Sequence, residues 1–497
     1  MSTIADASRP CAPSAAAPPG PPRGNGSRLN SAAPVRAFIP ETLRLADHLP
    51  RMWHDHGAYF VHGLVRRRHT EKHRNPDGYY PVYSKAVRDY MPSHSSSAIM
   101  NSLLGSVVER DDSYRAGDRT CPGYSKGYRL TKGYRDAAHR VVELTDPGLV
   151  GRVRAHRARE RDAVTDPVDR HIRNTVENVE VTADWPTPSL SLAMMANRDP
   201  FFTPCKYGRL HHHLTSLARN LRRFVRIDGQ KLWTVDIKNS QPFILGMIAK
   251  GWADRATAKE FEAYKWERWT TWVNNRAHSQ RQRDGGGRWP AVRRPGALPP
   301  TATTPTVPPH CPTARHHAKG HPPTPPPDVT LMLRSTCQSV GVWTDVDDYV
   351  NACRFGTLYE LLLDEVQRNR RWVHGDSREH VKRRFMGAIY GEACDMETIV
   401  GTAIKTLYPT IFGLAHGLNE LRHGWLPCEM QRVESFIVIR RAGARILREF
   451  PGVPFLTVHD SFVGLEQHVV AFGEILKDEF HRAFGFAPAV AMKPFTD

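Results

Sequence analysis

Residues 454–465 read PFLTVHDSFVGL, two short apolar runs that meet at His459, Asp460 and Ser461. Both runs are rich in β-branched and aromatic residues, so they predict a tight hairpin with an acid at its tip. A turn alone more often uses Asn-Gly or Asp-Gly. The acid at position 460, between two strands that should be buried, therefore indicates a functional carboxylate.

A second acid ends another predicted strand. Residues 231–237, KLWTVDI, alternate and follow a turn signal, and an apolar helical run begins soon after Asp236. Pro242 is tolerated in the first turn of that helix. Taken alone, Asp236 is as compatible with a helix cap as with a cation ligand. If the two strands pair, however, Asp236 and Asp460 converge, and two carboxylates around a pair of Mg²⁺ ions suffice for phosphoryl transfer.

A basic helix is predicted between the two acids. Residues 376–393 read DSREHVKRRFMGAIYGEA, with acids early, an N-cap candidate at Asp376 or Ser377 and a glycine near the end. Cations beside an aromatic ring suit a nucleoside triphosphate, although helical cations are usually only a solvated face. An apolar band at 385–390 favours the nucleotide interpretation. The stripe of side chains spaced by four consists of Arg378, Lys382, Met386 and Tyr390.

Composition restricts the partners. The 497 residues carry 69 Lys plus Arg against 51 Asp plus Glu, and 69 − 51 = +18 favours a polyanionic partner such as nucleic acid. Hydrophobic residues make up 40%, which excludes wholesale disorder. No apolar run approaches the roughly 18–20 residues of a membrane span, so no membrane partner is expected. The eight cysteines include no CxxC pair, which favours reduced thiols and a cytoplasmic location.

Two segments lack the composition of a packed core. Residues 1–37 are rich in Ala, Pro, Ser and Gly, and we expect a disordered tail rather than a secretory signal. Residues 275–328 are basic and then Pro-rich, and we expect a disordered insertion. This insertion either contacts a phosphate backbone or serves only as a linker between two folded parts of the chain. Residues 38–199 read as mostly helical, 201–264 as helix, strand and helix, and 329–497 as helices followed by a hairpin and a terminal helix.

Five segments in order resemble the family A DNA polymerases (the DNA polymerase I type) and their relatives, the single-subunit RNA polymerases of phages and mitochondria. The resemblance covers 201–497 and implies an α+β, right-hand polymerase fold, with an antiparallel palm sheet and helical fingers. Its palm would comprise 200–274 and 428–497 and its fingers 329–427, with 38–199 a thumb-like or accessory region. The segments are YGRL at 207–210, VD at 235–236, R-x3-K-x7-YG at 378–391, MQ at 430–431 and VHDS at 458–461.

The resemblance also implies roles for individual residues. One Mg²⁺ ion (or Mn²⁺) would activate a primer 3′-hydroxyl and a second would stabilise the leaving pyrophosphate. The implied metal ligands are Asp236, Asp460 and the carbonyl of Ile237. Lys382 would also protonate the leaving group. The implied nucleotide-binding residues are Arg378, Lys382, Met386, Tyr390, Gly391 and Gln241. The residues implied to contact the duplex or primer end are Arg209, Gln431 and His459.

Departures from the family leave the sugar open. The DNA enzymes place Glu five residues after the metal-binding aspartate, whereas this chain has Gln241, which could block a ribose 2′-hydroxyl or bind it. Ser461 is closer to the RNA enzymes, while the Gly-Arg-Leu and Met-Gln segments are closer to the DNA enzymes. We therefore expect a monomeric nucleotidyltransferase that uses nucleoside triphosphates on a primer–template, with DNA favoured and a single-subunit DNA-dependent RNA polymerase as the alternative.

Two other classes compete with this interpretation. A non-catalytic replication protein would also use the net charge of +18, because phosphate contacts need no active site. A metal-dependent nuclease would use the carboxylates but not a triphosphate-binding helix. His211–His213 are expected on a helix, where consecutive side chains point roughly 100° apart and cannot share one metal ion. Glu434 and Glu466 are expected to be structural.

Overall fold

The computed structural model describes thirteen stretches of the chain, and the insertion predicted at 275–328 lies outside them. The predicted tail lies outside them up to residue 33, but the first strand begins at Arg36, so ordered structure starts earlier than expected. No helix in the described stretches is long and apolar enough to cross a membrane. These stretches are 34–71, 78–82, 90–91, 95–112, 126–182, 189–197, 201–205, 207–251, 259–260, 344–368, 377–391, 398–421 and 424–496.

The N-terminal part has its own hydrophobic core, built around a long helix and two small antiparallel sheets, β1–β5 and β2–β4–β3. In its described residues, more of the regular structure is helix than strand. Its elements are β1 (Arg36–Pro40), α1 (His54–Glu71), β2 (Tyr80–Pro81), α2 (Ser96–Leu103), β3 (Val108–Asp111), β4 (Gly127–Leu130), α3 (Lys132–Arg135), β5 (His139–Glu143) and α4 (Pro147–Asp162).

The next segment joins the second core, although it precedes residue 199. Val168, Ile172 and Val176 of α5 are buried there, while α6 contributes Leu192 to this core and Met194 to the first. The helix predicted at the start of 201–264 is wrong: those residues form a hairpin, a short helix and a 3₁₀ turn at Arg219–Phe224. The elements are α5 (Pro167–Asn178), β6 (Glu180–Val181), α6 (Leu190–Ala196), β7 (Phe202–Pro204), β8 (Leu210–His212) and α7 (His213–Ser216).

A six-stranded antiparallel sheet forms the centre of the second core, in the order β11–β12–β10–β9–β6, with β13 paired to the other side of β10. The sequence predicted the hairpin β11–β12 and strand β10, but not β13, which follows the terminal helix. The elements are β9 (Val225–Ile227), β10 (Gln230–Ile237), α8 (Ser240–Lys250), α9 (Thr344–Phe355), α10 (Leu358–Arg368), α11 (Arg378–Tyr390), α12 (Ile399–Leu407), α13 (Pro409–Leu421), α14 (Trp425–Ser435), α15 (Ala444–Glu449), β11 (Phe455–Val458), β12 (Ser461–Leu465), α16 (Glu466–Phe484) and β13 (Val490–Pro494).

The terminal helix α16 covers one face of this sheet. Gly473 lies against the sheet so closely that a Cβ there would be 3.2 Å from Cγ2 of Val235 and 2.6 Å from Cε of Met492. Phe462 of β12 meets Phe472 of α16 on the same face, with ring centres 6.3 Å apart. Because side chains alternate along a strand, Asp236 points to the opposite face from Val235. The face that bears Asp236 is therefore the one that α16 leaves uncovered.

Candidate active site

The hairpin brings the two predicted acids together. Asp236 is directly opposite Ser461 in the β10–β12 ladder, so Asp460 in the two-residue turn is its diagonal neighbour. His459, the other turn residue, has a φ of +58°, a left-handed conformation that is uncommon outside glycine but that Asn, Asp and His adopt more often than other residues. Asp236 does not cap α8, because the N-cap is Asn239. Both aspartates keep partial exposure to solvent.

The environment of the aspartates disfavours their ionised forms. Burial is the main cause that raises the pKa of Asp460, and the negative charges of Glu434 and Asp236 raise it further. Burial also raises the pKa of Asp236, although Lys493 and Lys382 act in the opposite direction and the N–H of Ile237 donates to its carboxylate. The negative charge of the two carboxylates is thus only partly compensated by nearby positive charges, so a bound cation would be stabilised there.

Glu434 of α14 lies fully buried beside the aspartates, with 1% of its surface exposed. Its Oε1 accepts from Nε of Arg209 at 3.0 Å and from Nη2 of the same guanidinium. Its Oε2 accepts from Oγ of Ser240 at 2.9 Å and from Nε2 of Gln241. One carboxylate therefore links the β7–β8 hairpin, the first turn of α8 and α14, a larger structural role than the sequence indicated.

Gln241 is held at both ends of its amide. While its Nε2 donates to Glu434, its Oε1 accepts from the hydroxyl of Tyr390 at 2.9 Å. Burial raises the pKa of Tyr390, which keeps the hydroxyl protonated as a donor. The last turn of α11 is thereby tied to α8 at the site, and the amide of Gln241 has a fixed orientation.

The basic stripe of α11 begins at a Ser377 cap, whose Oγ accepts from the N–H of His380. Arg378 is ion-paired with Glu360 at 2.6 Å and lies 5.3 Å from the centre of the Tyr359 ring. Lys382 is exposed, sits 5.9 Å from the same ring, and is near enough to lower the pKa of Asp236. The stripe thus approaches the aspartates through Lys382, while Arg378 is further out.

The remaining predicted site residues have varied settings. Met386 packs against the second core, and Gly391 ends α11 with its N–H donating to the carbonyl of Gly387 at 2.8 Å. Gln431 is partly buried on α14. His459 is at the hairpin turn, where partial desolvation of its ring and the positive charge of nearby Arg209 lower its pKa, which favours the neutral imidazole.

Lys493 and Arg222 are also near enough to Asp236 to interact with its charge, and no sequence pattern indicated either of them. Lys493 is opposite Thr234 in the β10–β13 ladder, and Arg222 comes from the 3₁₀ turn that precedes β9. Arg222 lies 4.8 Å above the ring of Phe495 and senses the charge of Asp236. Neither residue is part of a motif, and only the high basic content of 219–226 hinted at a charged surface.

The three consecutive histidines are not on one helix, contrary to the prediction: His211 and His212 belong to β8, and His213 begins α7. His212 is completely buried, Nε2 of its ring donates to the carbonyl of Thr457 at 2.9 Å, and burial lowers its pKa to about 3. Nε2 of His213 accepts from the N–H of Phe201. His212 and His213 therefore make structural hydrogen bonds. Within the described stretches, no group of three or more His, Cys, Asp or Glu side chains is arranged to hold a metal ion.

Comparison with known proteins gives little independent information. No family profile and no curated protein sequence matches the chain. Among solved structures, it is similar to the POL domain of Pol1 from M. smegmatis in complex with a DNA primer-template and dNTP. The TM-score is 0.22 at 11% identity, over 87% of this chain and 66% of that chain, so this chain spans less than two thirds of its length. A similarity at this TM-score carries no argument for the function.

Proposed function

We propose that this chain is a template-directed nucleic-acid polymerase, a nucleotidyltransferase that adds nucleotides from nucleoside triphosphates to a primer 3′-end. The observation that supports it is the meeting of Asp236 and Asp460 at adjacent strand ends, with Lys382 of α11 near enough for its charge to lower the pKa of Asp236. A binding protein needs no such pairing of buried acids, and a nuclease needs no cationic helix for a triphosphate.

The two aspartates fit Mg²⁺ as ligands. They are hard oxygen donors, and their raised pKa values reflect a negative charge that lacks full compensation. Mg²⁺ in phosphoryl-transfer sites is usually held by one or two carboxylates together with substrate phosphates, so two aspartates suffice. Asp236, Asp460 and the carbonyl of Ile237 would hold the ions. When bound, these ions would supply electrostatic stabilisation of the attacking and leaving oxygens.

The protein's own cations would bind and orient the triphosphate. Lys382 is exposed and close to Asp236, so its ammonium can contact the phosphates and donate a proton to the departing pyrophosphate. Arg378 would have to exchange its ion pair with Glu360 for a phosphate oxygen. Tyr390 and Gly391 end the same helix and would line the position of the nascent base pair.

The duplex would contact Gln431, His459 and the remaining terminal nitrogen of Arg209. The other two nitrogens of Arg209 are bonded to Glu434, so this residue would act partly as a fixed wall of the site. The nitrogen and the oxygen of the Gln241 amide are both hydrogen-bonded within the protein, so Gln241 would exclude a ribose 2′-hydroxyl rather than bind it. We therefore propose deoxynucleotides as the preferred substrates.

Primer extension with the purified chain tests the proposal. Asp236→Asn and Asp460→Asn should each abolish incorporation while leaving duplex binding intact, whereas Asp364→Asn, which removes an exposed carboxylate on α10, should extend as the wild type does. Supplying dNTPs and NTPs separately, on DNA and on RNA templates, identifies the sugar and the template. Normal extension by either site variant contradicts the proposal; cleavage of the primer without nucleotides would favour a nuclease.

A further inference from the structure

The sheet face that bears Asp236 also bears a lysine from the last strand. Lys493 is paired with Thr234, and residues directly opposite in an antiparallel ladder point to the same face. Thr234 and Asp236 share that face because side chains alternate along β10. Lys493 is consequently a diagonal neighbour of Asp236, on the side of β10 away from Asp460.

Arg222 extends this basic surface along the sheet. Phe495 continues the edge of β13, where its N–H donates to the carbonyl of Leu232 at 2.8 Å, and its ring supports the guanidinium of Arg222 at 4.8 Å. Nε of Arg222 makes a long 3.4 Å hydrogen bond to the carbonyl of Leu217. Phe495 is two residues beyond Lys493, so the ring that supports Arg222 and the ammonium of Lys493 come from neighbouring positions on the same face of the sheet.

Lys493 and Arg222 differ from Arg209 and Arg378, two other cations near the site, because they lack an ion-pair partner in the described stretches. Arg209 and Arg378 are each ion-paired, with Glu434 and Glu360. Across the described stretches, neither Lys493 nor Arg222 has a carboxylate within 4.0 Å. Both are partly exposed, on the face that α16 leaves uncovered. Their charges are therefore available to an anion that approaches from solvent.

We propose that Lys493 and Arg222 bind backbone phosphates of the nucleic-acid strand whose end lies at Asp236 and Asp460. This inference rests on the proposed function, and it names the surface along which the strand would run. The triphosphate would use Lys382 on α11, whereas Lys493 and Arg222 line the sheet on the other side of Asp236. A repeated phosphate charge suits cations placed in a row, since each contact releases a counterion from the strand.

The test is the affinity for a labelled primer–template at several salt concentrations. Lys493→Gln and Arg222→Gln should each weaken binding roughly five- to eightfold at about 0.1 M salt and reduce the salt slope by about 0.7–0.9, as expected for one lost phosphate contact. The matched control is Lys477→Gln, which removes one positive charge from α16, the helix on the opposite side of the sheet, where Lys477 pairs with Glu474 at 2.7 Å. It should bind as the wild type does.

Several outcomes separate this inference from the proposed function. If the wild type extends a primer but both variants bind with wild-type affinity and slope, the phosphate site is wrong and the polymerase proposal stands. If the wild type extends no primer but both variants still lose affinity, the polymerase proposal is wrong and the phosphate site stands. Arg222→Lys keeps the charge and should recover most of the binding; failure to recover it, with the melting temperature unchanged, would also contradict a phosphate contact.

Discussion

The carboxylate of Glu434 is the most informative single group to change. Glu434→Gln preserves the shape of the side chain but replaces one of its two acceptor oxygens by an amide that can only donate. Four donor contacts, from Arg209, Ser240 and Gln241, now converge on the carboxylate, and at least two of them would be lost or made repulsive. The guanidinium of Arg209, only 18% exposed, would be left without a counter-charge.

We expect a loss of about 3 kcal/mol in the free energy of unfolding of the second core. Removing one partner of a buried ion pair costs about 3–5 kcal/mol. The lower end applies here because the change also removes a negative charge that raises the pKa of both Asp236 and Asp460. Extension should fall at least tenfold, mainly through a higher KM for the nucleotide, because the amide of Gln241 would lose its fixed orientation.

Denaturant unfolding and steady-state extension measure the two effects. Glu429→Gln is a matched control on the same helix: Glu429 is also buried and pairs with Arg432 at 3.2 Å, whereas Glu434 accepts from three different side chains. It should lower stability less than Glu434→Gln does and leave the KM unchanged, because Glu429 does not hold Gln241. If Glu434→Gln is no less stable than Glu429→Gln and extends with the wild-type KM, the reasoning about this carboxylate is refuted.

Two further predictions concern the same site. Tyr390→Phe removes the donor to Gln241, so we expect a loss of about 1 kcal/mol in stability and weaker discrimination against NTPs, measured as the ratio of dNTP to NTP incorporation; an unchanged ratio would show that the amide orientation does not matter. The raised pKa values of Asp236 and Asp460 mean that the folded protein retains protons that the unfolded chain releases near pH 4, so stability falls as pH rises through these values. Millimolar Mg²⁺ should consequently raise the melting temperature more at about pH 8 than at about pH 5, and Asp460→Asn should abolish most of that increase.

The sequence was informative where local pattern and tertiary structure agree. Strand β10, hairpin β11–β12 and helix α11 each have a hydrophobic period that matches their burial, so their boundaries could be predicted closely. The hairpin and β10 then place Asp236 beside Asp460, because acids at the ends of paired strands must meet.

Features that depend on distant partners could not be predicted. Strand β13 has only five residues after a long helix, and its pairing with β10 is decided by the sheet rather than by its own pattern. The hairpin β7–β8 was mistaken for helix for a similar reason. The role of Glu434 requires three elements that meet in space, and no spacing along the chain indicates it. Arg209 and Arg378 illustrate the same limit, since their carboxylate partners come from other segments.

The balance of charge around the aspartates explains why the site suits a ligand with both signs of charge. Arg209 and Glu434 compensate each other. What remains near the strand ends is two aspartates with raised pKa values and three cations, Lys382, Lys493 and Arg222, none of which has a carboxylate within 4.0 Å in the described part of the chain. A structural ion-pair cluster would bring these opposite charges into contact, because separated buried charges are costly. Under the proposed function, divalent cations would bind at the acids and phosphate oxygens at the bases, and a metal-bound polyphosphate at a nucleic-acid end would supply both.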